Sequence, residues 1–418
     1  MIEPTSTEPG SQAPRAALSG SGRAPRASRA LSLPTPGARR ATVIGAGSFG
    51  TALAVVLARG GLRTTLQART AEQAAQLEAE RENSRYLPGV ELPATLRVEP
   101  AGAGVARADF VFLAVPSQNL GAVIAGLRGA GLGRRAALVS SAKGLVPPDG
   151  ASPTSVLSAA FGAHRVACLG GPAHAQEMVH AGAGLVAASH DEELGDALAQ
   201  VFTRAGVVCE RSDDPLGVEL AGAAKNAAAL AAGATEAQGL NAAGAAAGHI
   251  FAEVWRYAEH LGARPESMIG LAGAGDLVAT ALARESRNRR AGELLAAGVP
   301  ASEIPGRIGQ AVEALQSVPL LALALERGAG EGRTSGRAHG AADTRTRLAA
   351  GDGGNAGADS RAPITGALGR LISGELPLSE WVALVRTTVP PPPRRRRVAG
   401  RRGAPTWRSL WRRLTGGR

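Results

Sequence analysis

The fold of this chain can be inferred from residues 41–54, Ala41-Thr42-Val43-Ile44-Gly45-Ala46-Gly47-Ser48-Phe49-Gly50-Thr51-Ala52-Leu53-Ala54. The apolar, β-branched residues at its beginning predict a short buried strand. Directly after them, glycines at 45, 47 and 50 have the Gly-x-Gly-x-x-Gly spacing of a turn that binds a dinucleotide. The segment that follows is amphipathic. The stretch therefore predicts a strand, a tight turn and a helix.

The three glycines of this turn each meet a separate mechanical need. Gly45 allows the chain to reverse tightly, and Gly47 allows backbone N–H groups to approach a pyrophosphate without a Cβ in the way. Gly50 allows the helix to pack closely on the strand, and the N-terminus of that helix then faces the phosphates. A second strand-like run, Arg63–Gln67, follows about twenty residues later, as a βαβ unit requires.

Strands and helices continue to alternate up to residue 212. This rhythm predicts an α/β Rossmann-like domain over 41–212, with a mostly parallel sheet and helices on both faces. The predicted elements after the first βαβ unit are helices Ala71–Glu82, Asn119–Leu127 and Asp191–Thr203, and strands Asp109–Ala114, Ala136–Ser140, Arg165–Leu169 and Leu185–Ala188.

From about Asp213 the pattern changes to long Ala- and Leu-rich stretches without a convincing strand up to Glu326. We therefore expect an all-α domain over 213–388. Residues 327–361 have no hydrophobic period and predict a flexible insertion in that domain. The predicted helices are Pro215–Ala232, Ala242–His260, Pro363–Ser373 and Leu378–Arg386.

The net charge of +11 lies in the two ends of the chain. Residues 394–418 contain ten arginines and no acid, and residues 1–40 contain six arginines and two glutamates. Residues 41–393 therefore carry a net charge of −3, and this mildly acidic body gives no reason to expect a nucleic-acid partner. We expect residues 1–40 to be a disordered extension and residues 389–418 to be a disordered Pro/Arg-rich tail.

The end of the tail has the spacing of an amphipathic helix. Trp407, Leu410, Trp411 and Leu414 follow i, i+3, i+4 and i+7, with arginines between them. Such a helix fits peripheral contact with an anionic membrane or with a partner protein. The alternative is a tail that stays in solution.

The composition also indicates a compartment. No apolar run reaches the roughly 18 residues that span a bilayer, and the N-terminus lacks the apolar core of a secretory signal. Cys168 and Cys209 lie in apolar, strand-like segments, which predicts buried free thiols rather than a disulfide or a metal site. We therefore expect a cytoplasmic protein without a bound metal.

Lysine is almost absent from this chain, since Lys143 and Lys225 are the only lysines among its 46 basic residues. A guanidinium is never deprotonated in a protein, whereas a partly buried ammonium can have its pKa lowered and exchange a proton. Lys143 follows a predicted strand, at the end where open α/β sheets bind ligands. Lys225 is expected early in the first helix of the second domain. The alternative is two exposed lysines without a role.

Several short motifs follow one another between about residues 41 and 326. They are Val43-Ile44-Gly45-Ala46-Gly47-Ser48-Phe49-Gly50-Thr51-Ala52, Tyr86-Leu87-Pro88-Gly89, Val115-Pro116-Ser117, Ala142-Lys143-Gly144-Leu145, Gly170-Gly171-Pro172, Lys225-Asn226, Gly273-Ala274-Gly275-Asp276-Leu277 and Ser286-Arg287-Asn288-Arg289-Arg290. In this order they resemble the NAD(P)-dependent glycerol-3-phosphate dehydrogenases of the bacterial type. The resemblance implies that dihydroxyacetone phosphate and glycerol 3-phosphate are interconverted in the cleft between the two domains, with NADH or NADPH as cofactor.

The resemblance also implies roles for the two lysines. Lys225 would be the general acid that protonates the carbonyl oxygen during reduction, and the base in the reverse direction. Lys143 would hold and polarise the substrate, and Asp276 would lie near Lys225. A homodimer is expected from the family.

The resemblance places the substrate phosphate at the start of a helix. Arg287 and Asn288 would bind it, with Ser286 capping that helix. The implied substrate-binding residues are Lys143, Gly171, Ala173, Asp276, Ser286, Arg287 and Asn288, and the implied cofactor-binding residues are Gly45, Gly47, Ser48, Phe49, Gly50, Arg69, Lys143, Ala175, Arg287, Ala311 and Glu313.

The chain departs from the usual pattern of the family in several places, and these changes concern affinity and rate more than fold. The insertion and both ends have no counterpart in the family. Alanine stands at 173 where a hydroxyl residue is usual. The substituted positions are Ala173, Ala243, Gly244, His249 and Ala314.

The second strand of the βαβ unit bears on the choice of cofactor. Turns specific for NAD place Asp or Glu at the end of this strand to bind the ribose 2′-OH. Here Gln67, Ala68 and Arg69 occupy that region. Since Arg69 could pair with a 2′-phosphate, we expect NADPH to be used at least as well as NADH.

Two other functions stay open at this point. The chain could be another two-domain dehydrogenase for a small phosphorylated or carboxylated substrate. It could also be a non-catalytic homologue that binds a nucleotide and acts as a scaffold through its basic tail. Oxidation of the reduced cofactor in the presence of dihydroxyacetone phosphate separates the three readings.

Overall fold

A computed structural model describes residues 39–283, 286–331 and 362–388. The predicted N-terminal extension up to residue 38, most of the predicted insertion and the C-terminal tail lie outside these described residues. Within the described ranges, no helix combines the length and the apolar character needed to cross a bilayer. These ranges also contain no group of His, Cys, Asp and Glu side chains arranged to hold a metal ion.

The described residues form two sets of regular elements. The strands are β1 (Arg40–Ile44), β2 (Arg63–Ala68), β3 (Glu82–Asn83), β4 (Leu87–Glu91), β5 (Arg97–Pro100), β6 (Phe110–Leu113), β7 (Ala137–Ser140), β8 (Val166–Gly170), β9 (Gly184–Ala188) and β10 (Val208–Ser212). The α-helices are α1 (Ser48–Arg59), α2 (Ala71–Glu80), α3 (Leu120–Gly129), α4 (Pro153–Phe161), α5 (Ala175–His180), α6 (Glu192–Arg204), α7 (Pro215–Thr235), α8 (Leu240–His260), α9 (Pro265–Ile269), α10 (Asp276–Leu282), α11 (Arg287–Ala296), α12 (Ile304–Ile308), α13 (Glu313–Glu331), α14 (Pro363–Ser373) and α15 (Leu378–Thr387).

One large sheet has the strand order β10-β9-β8-β7-β6-β1-β2-β5, and β3 and β4 form a separate antiparallel pair. Neighbouring strands are parallel from β5 to β8, whereas β9 is antiparallel to β8. Strand β9 begins at the edge of the sheet at which β8 ends, so it runs back in the opposite direction. At that edge Gly184 N, at the start of β9, donates to Pro172 O, just after β8, at 3.2 Å. The prediction of a mostly parallel sheet is confirmed.

The sheet buries both of its faces, as predicted. On one face, Phe112 of β6 packs edge-on against Phe202 of α6, with ring centroids 6.1 Å apart. On the other face, Val111 belongs to a core with Leu120 of α3 and Leu157 of α4. Because successive strand residues point to opposite faces, the continuous apolar run of β6 serves two cores at once.

Strand β1 marks the position of the ligand site. Strands β2 and β5, which come first in the sequence, lie on one side of β1, and strands β6 to β10 lie on the other side. Open α/β sheets bind ligands beyond the carboxyl ends of the strands at such a reversal of strand order. The glycine turn follows β1 at this point.

The boundaries of the predicted elements need several corrections. The helix predicted to reach Glu82 ends at Glu80, because Arg81 takes a left-handed conformation with φ 52° and the chain turns into β3. The guanidinium of Arg81 donates to Pro93 O at 2.7 Å and to Leu96 O at 2.8 Å, which holds that turn. The local pattern does not predict β4, β5, β10, α4 and α5, which are short elements stabilised by tertiary contacts.

The two cysteines are free thiols in the described structure, but they differ in burial. Cys168 in β8 is fully buried, as predicted, and its Sγ lies 3.5 Å from Pro215 O. Cys209 is only half-buried, because β10 is an edge strand with one unpaired side. The prediction of two buried thiols is therefore wrong for Cys209.

Helix α7 is the centre of the helical region, and the described residues from 213 to 331 contain no strand. Its small residues let a second helix approach within backbone contact. A Cβ on Gly233 of α7 would lie 2.1 Å from Arg289 O, and a Cβ on Gly292 of α11 would lie 2.1 Å from Leu230 O. The Ala/Gly pattern thus fixes α11 against α7.

The last described helices return to the same core. The buried carboxylate of Glu253 on α8 accepts hydrogen bonds from Ile364 N, Thr365 N and Thr365 Oγ1 at 3.0, 2.8 and 2.6 Å. It therefore caps α14, and Trp381 of α15 is completely buried nearby in the same cluster. These contacts join residues 362–388 to the helical region.

Candidate active site

The glycine turn has the geometry that the sequence predicts. Gly45 has φ 113°, in the left-handed region, and a Cβ there would lie 2.5 Å from Ala114 O. A Cβ on Gly50 would lie 1.9 Å from Gly45 O, so any other residue would push the turn apart. A Cβ on Gly47, in contrast, would meet no protein atom within 4 Å. The space in front of Gly47 is therefore open to a ligand.

The backbone of the turn presents unpaired donors to that space. The N–H groups of residues 46–50 donate to no other residue of the described part of the chain. They lie at the start of α1, where the helix dipole favours negative charge. These donors fit the pyrophosphate of a dinucleotide.

The turn lines a cavity of about 2040 Å³. Pockets for one small molecule usually measure roughly 300–1,000 Å³, so this cavity has room for a dinucleotide and a second small molecule. All predicted site residues line the cavity except Gly171 and Asp276, which lie directly behind the lysine side chains. The structure thus brings the whole predicted set together.

The two lysines converge on one carboxylate. Lys143 Nζ lies 2.5 Å from Asp276 Oδ2, and Lys225 Nζ lies 3.5 Å from Asp276 Oδ1. Lys143 Nζ also donates to Gly171 O at 3.2 Å. Lys225 lies near the middle of the 21-residue helix α7, so the prediction of a position early in that helix is wrong. Its place halfway along α7 brings it opposite the start of α10.

Lys225 is 7% exposed, and this burial is the largest cause that lowers its pKa, to about 8. The ammonium of Lys143 lowers the pKa further, whereas Asp276 and Glu313 act in the opposite sense. An ammonium with such a pKa can release and regain a proton near neutral pH. No arginine could do this in its place.

Asp276 stays ionised between the lysines. Its burial raises the pKa of the carboxyl, but the charges of Lys143 and Lys225 outweigh this effect, and the pKa lies below its ordinary value. On the cavity wall, burial and then the charge of Lys225 lower the pKa of His174. With its pKa lowered in this way, His174 is neutral at pH 7.

An amide network fixes the lysine loop. Asn226 Nδ2 donates to Lys143 O at 3.1 Å and to Glu313 Oε2 at 3.2 Å. Asn288 Nδ2 donates to Asn226 Oδ1 at 2.9 Å, and Ala314 N donates to Asn288 Oδ1 at 3.3 Å. Asn226 belongs to the Lys225-Asn226 motif, but the motif alone does not predict this role for it. Its polar side chain within an Ala-rich helix was the available signal.

The start of α11 forms another wall of the cavity. Ser286 Oγ accepts a hydrogen bond from Arg289 N at 3.4 Å, so the predicted helix cap is present. Arg287 is exposed, and its Nη1 donates to Ala311 O at 3.1 Å. Arg289 faces away and pairs with Glu236, whereas Arg290 lines the cavity. Cationic side chains and helix N–H groups thus point to one region.

The end of β2 differs from that of an NAD-specific turn. Gln67 is 3% exposed and structural: its Nε2 donates to Ala103 O, and its Oε1 accepts from Gly102 N at 3.3 Å. Arg69 is exposed on the cavity wall, and its guanidinium pairs with no described side chain. A cation is therefore available at the place where NAD-specific turns have an Asp or Glu that binds the ribose 2′-OH.

A glycine turn at the reversal point of a parallel sheet, next to a buried lysine that can exchange a proton, defines a Rossmann-type dinucleotide-dependent oxidoreductase. Sequence profiles described as NAD-dependent glycerol-3-phosphate dehydrogenase N-terminus and C-terminus match residues 40–195 and 214–331. The chain belongs to the NAD-dependent glycerol-3-phosphate dehydrogenase family, as its motifs implied.

Individual relatives are similar over most of their length. The glycerol-3-phosphate dehydrogenase (NAD(P)+) of Deinococcus radiodurans is 43% identical over 286 residues, which cover 67% of this chain and 83% of the relative. That of Nocardia farcinica is 39% identical over 303 residues, covering 69% and 89%. The crystal structure of glycerol-3-phosphate dehydrogenase from Coxiella burnetii matches with a TM-score of 0.70 at 27% identity, covering 84% of this chain and 99% of that one.

Proposed function

We propose that this chain catalyses the NAD(P)H-dependent reduction of dihydroxyacetone phosphate to sn-glycerol 3-phosphate, and the reverse oxidation, for glycerophospholipid synthesis. One observation carries the proposal: Lys225, with its lowered pKa, lies 3.5 Å from Asp276 and lines the same cavity as the glycine turn. The names of the relatives from Deinococcus radiodurans and Nocardia farcinica agree with it.

Lys225 moves the proton. When bound, the nicotinamide cofactor supplies or accepts a hydride. In reduction, the ammonium of Lys225 gives a proton to the carbonyl oxygen of the substrate, and in oxidation the neutral amine removes it. A pKa of about 8 suits both directions, because each form is well populated near neutral pH.

Lys143 holds and polarises the substrate as a fixed cation. Its ammonium is positioned by Asp276 Oδ2 and Gly171 O, and its backbone carbonyl by Asn226. Asp276 balances part of the charge of both lysines. Because this carboxylate lies behind them, it leaves their cavity-facing sides to the substrate.

The substrate phosphate binds at the start of α11. Arg287 offers a guanidinium fork beside the N–H groups of a helix capped by Ser286. Asn288 adds to this site through its bonds to Asn226 and Ala314, which hold the neighbouring wall in place. Ala173 supplies no hydroxyl, so the substrate is held mainly by charge.

The residues along the rest of the cavity would hold the cofactor. Backbone N–H groups of the glycine turn would bind its pyrophosphate, and Arg69 would bind the 2′-phosphate of NADPH. The fit rests on the open space at Gly47 and the unpaired donors beside it. The other residues proposed to contact the cofactor are Lys143, Ala175, Arg287, Ala311 and Glu313.

An assay that monitors the oxidation of NADPH through the decrease in its absorbance tests the proposal. We expect turnover with dihydroxyacetone phosphate and none with pyruvate, which lacks the phosphate that Arg287 binds. Turnover with a carboxylated substrate instead would favour a different dehydrogenase. Cofactor binding without any turnover would favour a non-catalytic scaffold.

Three further properties are part of the proposal. A cytoplasmic location agrees with two free cysteine thiols. We also propose a homodimer, which is what the resemblance to the family leads us to expect. Peripheral contact of the basic tail with anionic membranes follows from the spacing of its Trp and Leu residues, which lie outside the described part of the chain.

A further inference from the structure

Asn83 connects the small β3–β4 pair to the glycine turn. Its side chain is 2% exposed, and Nδ2 donates to Ala46 O at 3.1 Å and to Thr51 Oγ1 at 2.8 Å. The hydroxyl of Thr51 in turn donates to Gly47 O at 2.8 Å. Two side chains from separate elements thus hold the backbone of the turn.

These bonds determine which way the peptide groups point. Gly45 O packs against the Cα of Gly50, Ala46 O accepts from Asn83, and Gly47 O accepts from both Thr51 N and Thr51 Oγ1. In a planar trans peptide the N–H points opposite to the C=O. With the carbonyls of the turn drawn into the protein, the N–H groups that follow them face the cavity.

The β3–β4 pair is itself well anchored. Arg81, just before it, donates to three backbone carbonyls between residues 92 and 96, and Glu82 Oε1 accepts a hydrogen bond from Gly89 N at 3.0 Å. Leu87 is completely buried, and Gln176 of α5 donates to Pro88 O at 2.9 Å. Asn83 therefore acts on the turn from a fixed position.

We propose that Asn83 and Thr51 are positioning residues for the pyrophosphate of the cofactor. They keep the turn arranged for an anion before the cofactor arrives, and they prevent Ala46 O and Gly47 O from rotating towards the phosphates. This inference rests on the dinucleotide site of the proposed function, but it does not depend on the identity of the substrate.

The test measures binding without substrate. For Asn83→Asp, which keeps the shape but loses the amide donor, we expect the Kd for NADPH to rise about 10-fold or more. The Kd for 2′-phospho-ADP-ribose, which has the pyrophosphate, should rise equally, whereas the Kd for 2′-AMP, which lacks it, should stay near the parent value. In steady state the KM for NADPH should rise more than kcat falls.

Thr51→Val repeats the test without a change of charge, and Thr51→Ser should restore binding because it keeps the hydroxyl. Thr64→Val is the matched control: Thr64 is buried in β2 and donates to Leu62 O, away from the turn. Effects of Asn83→Asp and Thr51→Val that are not additive would support a shared role.

Two results would overturn the proposal. The first is an unchanged affinity for NADPH in both Asn83→Asp and Thr51→Val. The second is a loss of affinity for 2′-AMP as large as that for NADPH, since it would indicate a general structural role. If Asn83→Asp fails to fold, the Thr51 variants decide the question. If the parent protein shows no turnover but its variants still lose affinity for NADPH and not for 2′-AMP, this inference holds and the proposed reaction does not.

Discussion

The two ends of the cavity are built in opposite ways. At the cofactor end, one continuous stretch supplies backbone N–H groups, and no charged side chain belongs to the turn itself. At the lysine end, side chains from three separate segments converge: Lys143 follows β7, Lys225 lies within α7 and Asp276 begins α10. The first end depends on conformation and the second on charge and burial.

This difference predicts different responses to substitution. A change in the turn alters the shape of the backbone and thereby the affinity for cofactor. A change in the lysine cluster leaves the backbone in place and alters proton transfer or substrate binding. Binding and turnover should therefore be separable by mutation.

The largest effect is expected from Lys225→Arg. The variant keeps the positive charge but loses the ability to exchange a proton near neutral pH, so kcat should fall roughly 10²-fold or more. The Kd for NADPH should barely change. Lys143→Arg is the comparison: it should mainly raise the KM for dihydroxyacetone phosphate, because a larger cation still attracts the substrate but does not fit the same position. Parent rates in both variants would show that neither lysine serves chemistry.

At the other end, Gly47→Ala and Gly50→Ala should separate ligand contact from folding. A Cβ at 50 would lie 1.9 Å from Gly45 O, so Gly50→Ala should lower the free energy of unfolding by about 1–3 kcal/mol and also weaken NADPH binding. A Cβ at 47 meets no protein atom within 4 Å, so Gly47→Ala should unfold near the parent temperature yet bind NADPH roughly 10-fold more weakly. Thermal unfolding of the free protein and NADPH titration distinguish the two. Equal destabilisation by both would contradict the comparison.

The pH dependence should have opposite signs in the two directions of the reaction. Reduction needs the protonated form of Lys225, whose pKa is about 8, so kcat/KM should be level below this pH and fall up to tenfold per pH unit above it. Oxidation of glycerol 3-phosphate needs the neutral amine, so its rate should rise up to the same pH and then level off. Rate profiles of both directions test this. A fall in the reduction rate on acidification through neutral pH would assign the proton to another group.

A smaller, selective effect is expected from Arg69→Ala. The side chain of Arg69 is exposed and its guanidinium has no partner among the described residues, so its removal should leave folding intact. The KM for NADPH should rise several-fold, while the KM for NADH stays near the parent value, because only NADPH carries the 2′-phosphate. Steady-state kinetics with the two cofactors provide the measurement. A strong preference for NADH in the parent enzyme would refute the assignment.

No loss of activity is expected from a protein of residues 38–388. Every proposed site residue lies between 45 and 313, and the proposed domain edges leave both ends outside the folded body. Any binding to anionic vesicles should disappear with residues 394–418 and should weaken with salt in the full chain. Vesicle sedimentation and the NADPH assay measure both. A truncated protein that does not fold would show that an edge is misplaced.

Local patterns accounted for much of the fold. The β-branched run of β1, the glycine spacing after it and the apolar run of β6 each express a preference of a few neighbouring residues. Strand β5 and the β3–β4 pair gave no such signal. They are short, and β5 is an edge strand whose Arg97–Pro100 sequence becomes a strand only by pairing with β2.

The candidate site divides in the same way. The positions of the glycines and the two lysines could be found from residue type and spacing, because glycine and lysine each do something that their replacements cannot. The hydrogen bonds of Asn83 to the turn could not be predicted in this way, since its partners Ala46 and Thr51 lie more than thirty residues away in the sequence. Likewise, the hydrogen bond from Asn226 to the carbonyl of Lys143 joins residues 83 positions apart.

Residue types and their spacing were sufficient to predict a dinucleotide-binding βαβ unit followed by a helical region, and to single out two lysines for chemistry. These properties follow from local backbone preferences and from the chemistry of single residues. The contact of both ammonium groups with Asp276 and the lowering of the pKa of Lys225 to about 8 come from tertiary packing. Burial and charge depend on distances between segments far apart in the chain, and those distances exist only after the helices have packed against the sheet.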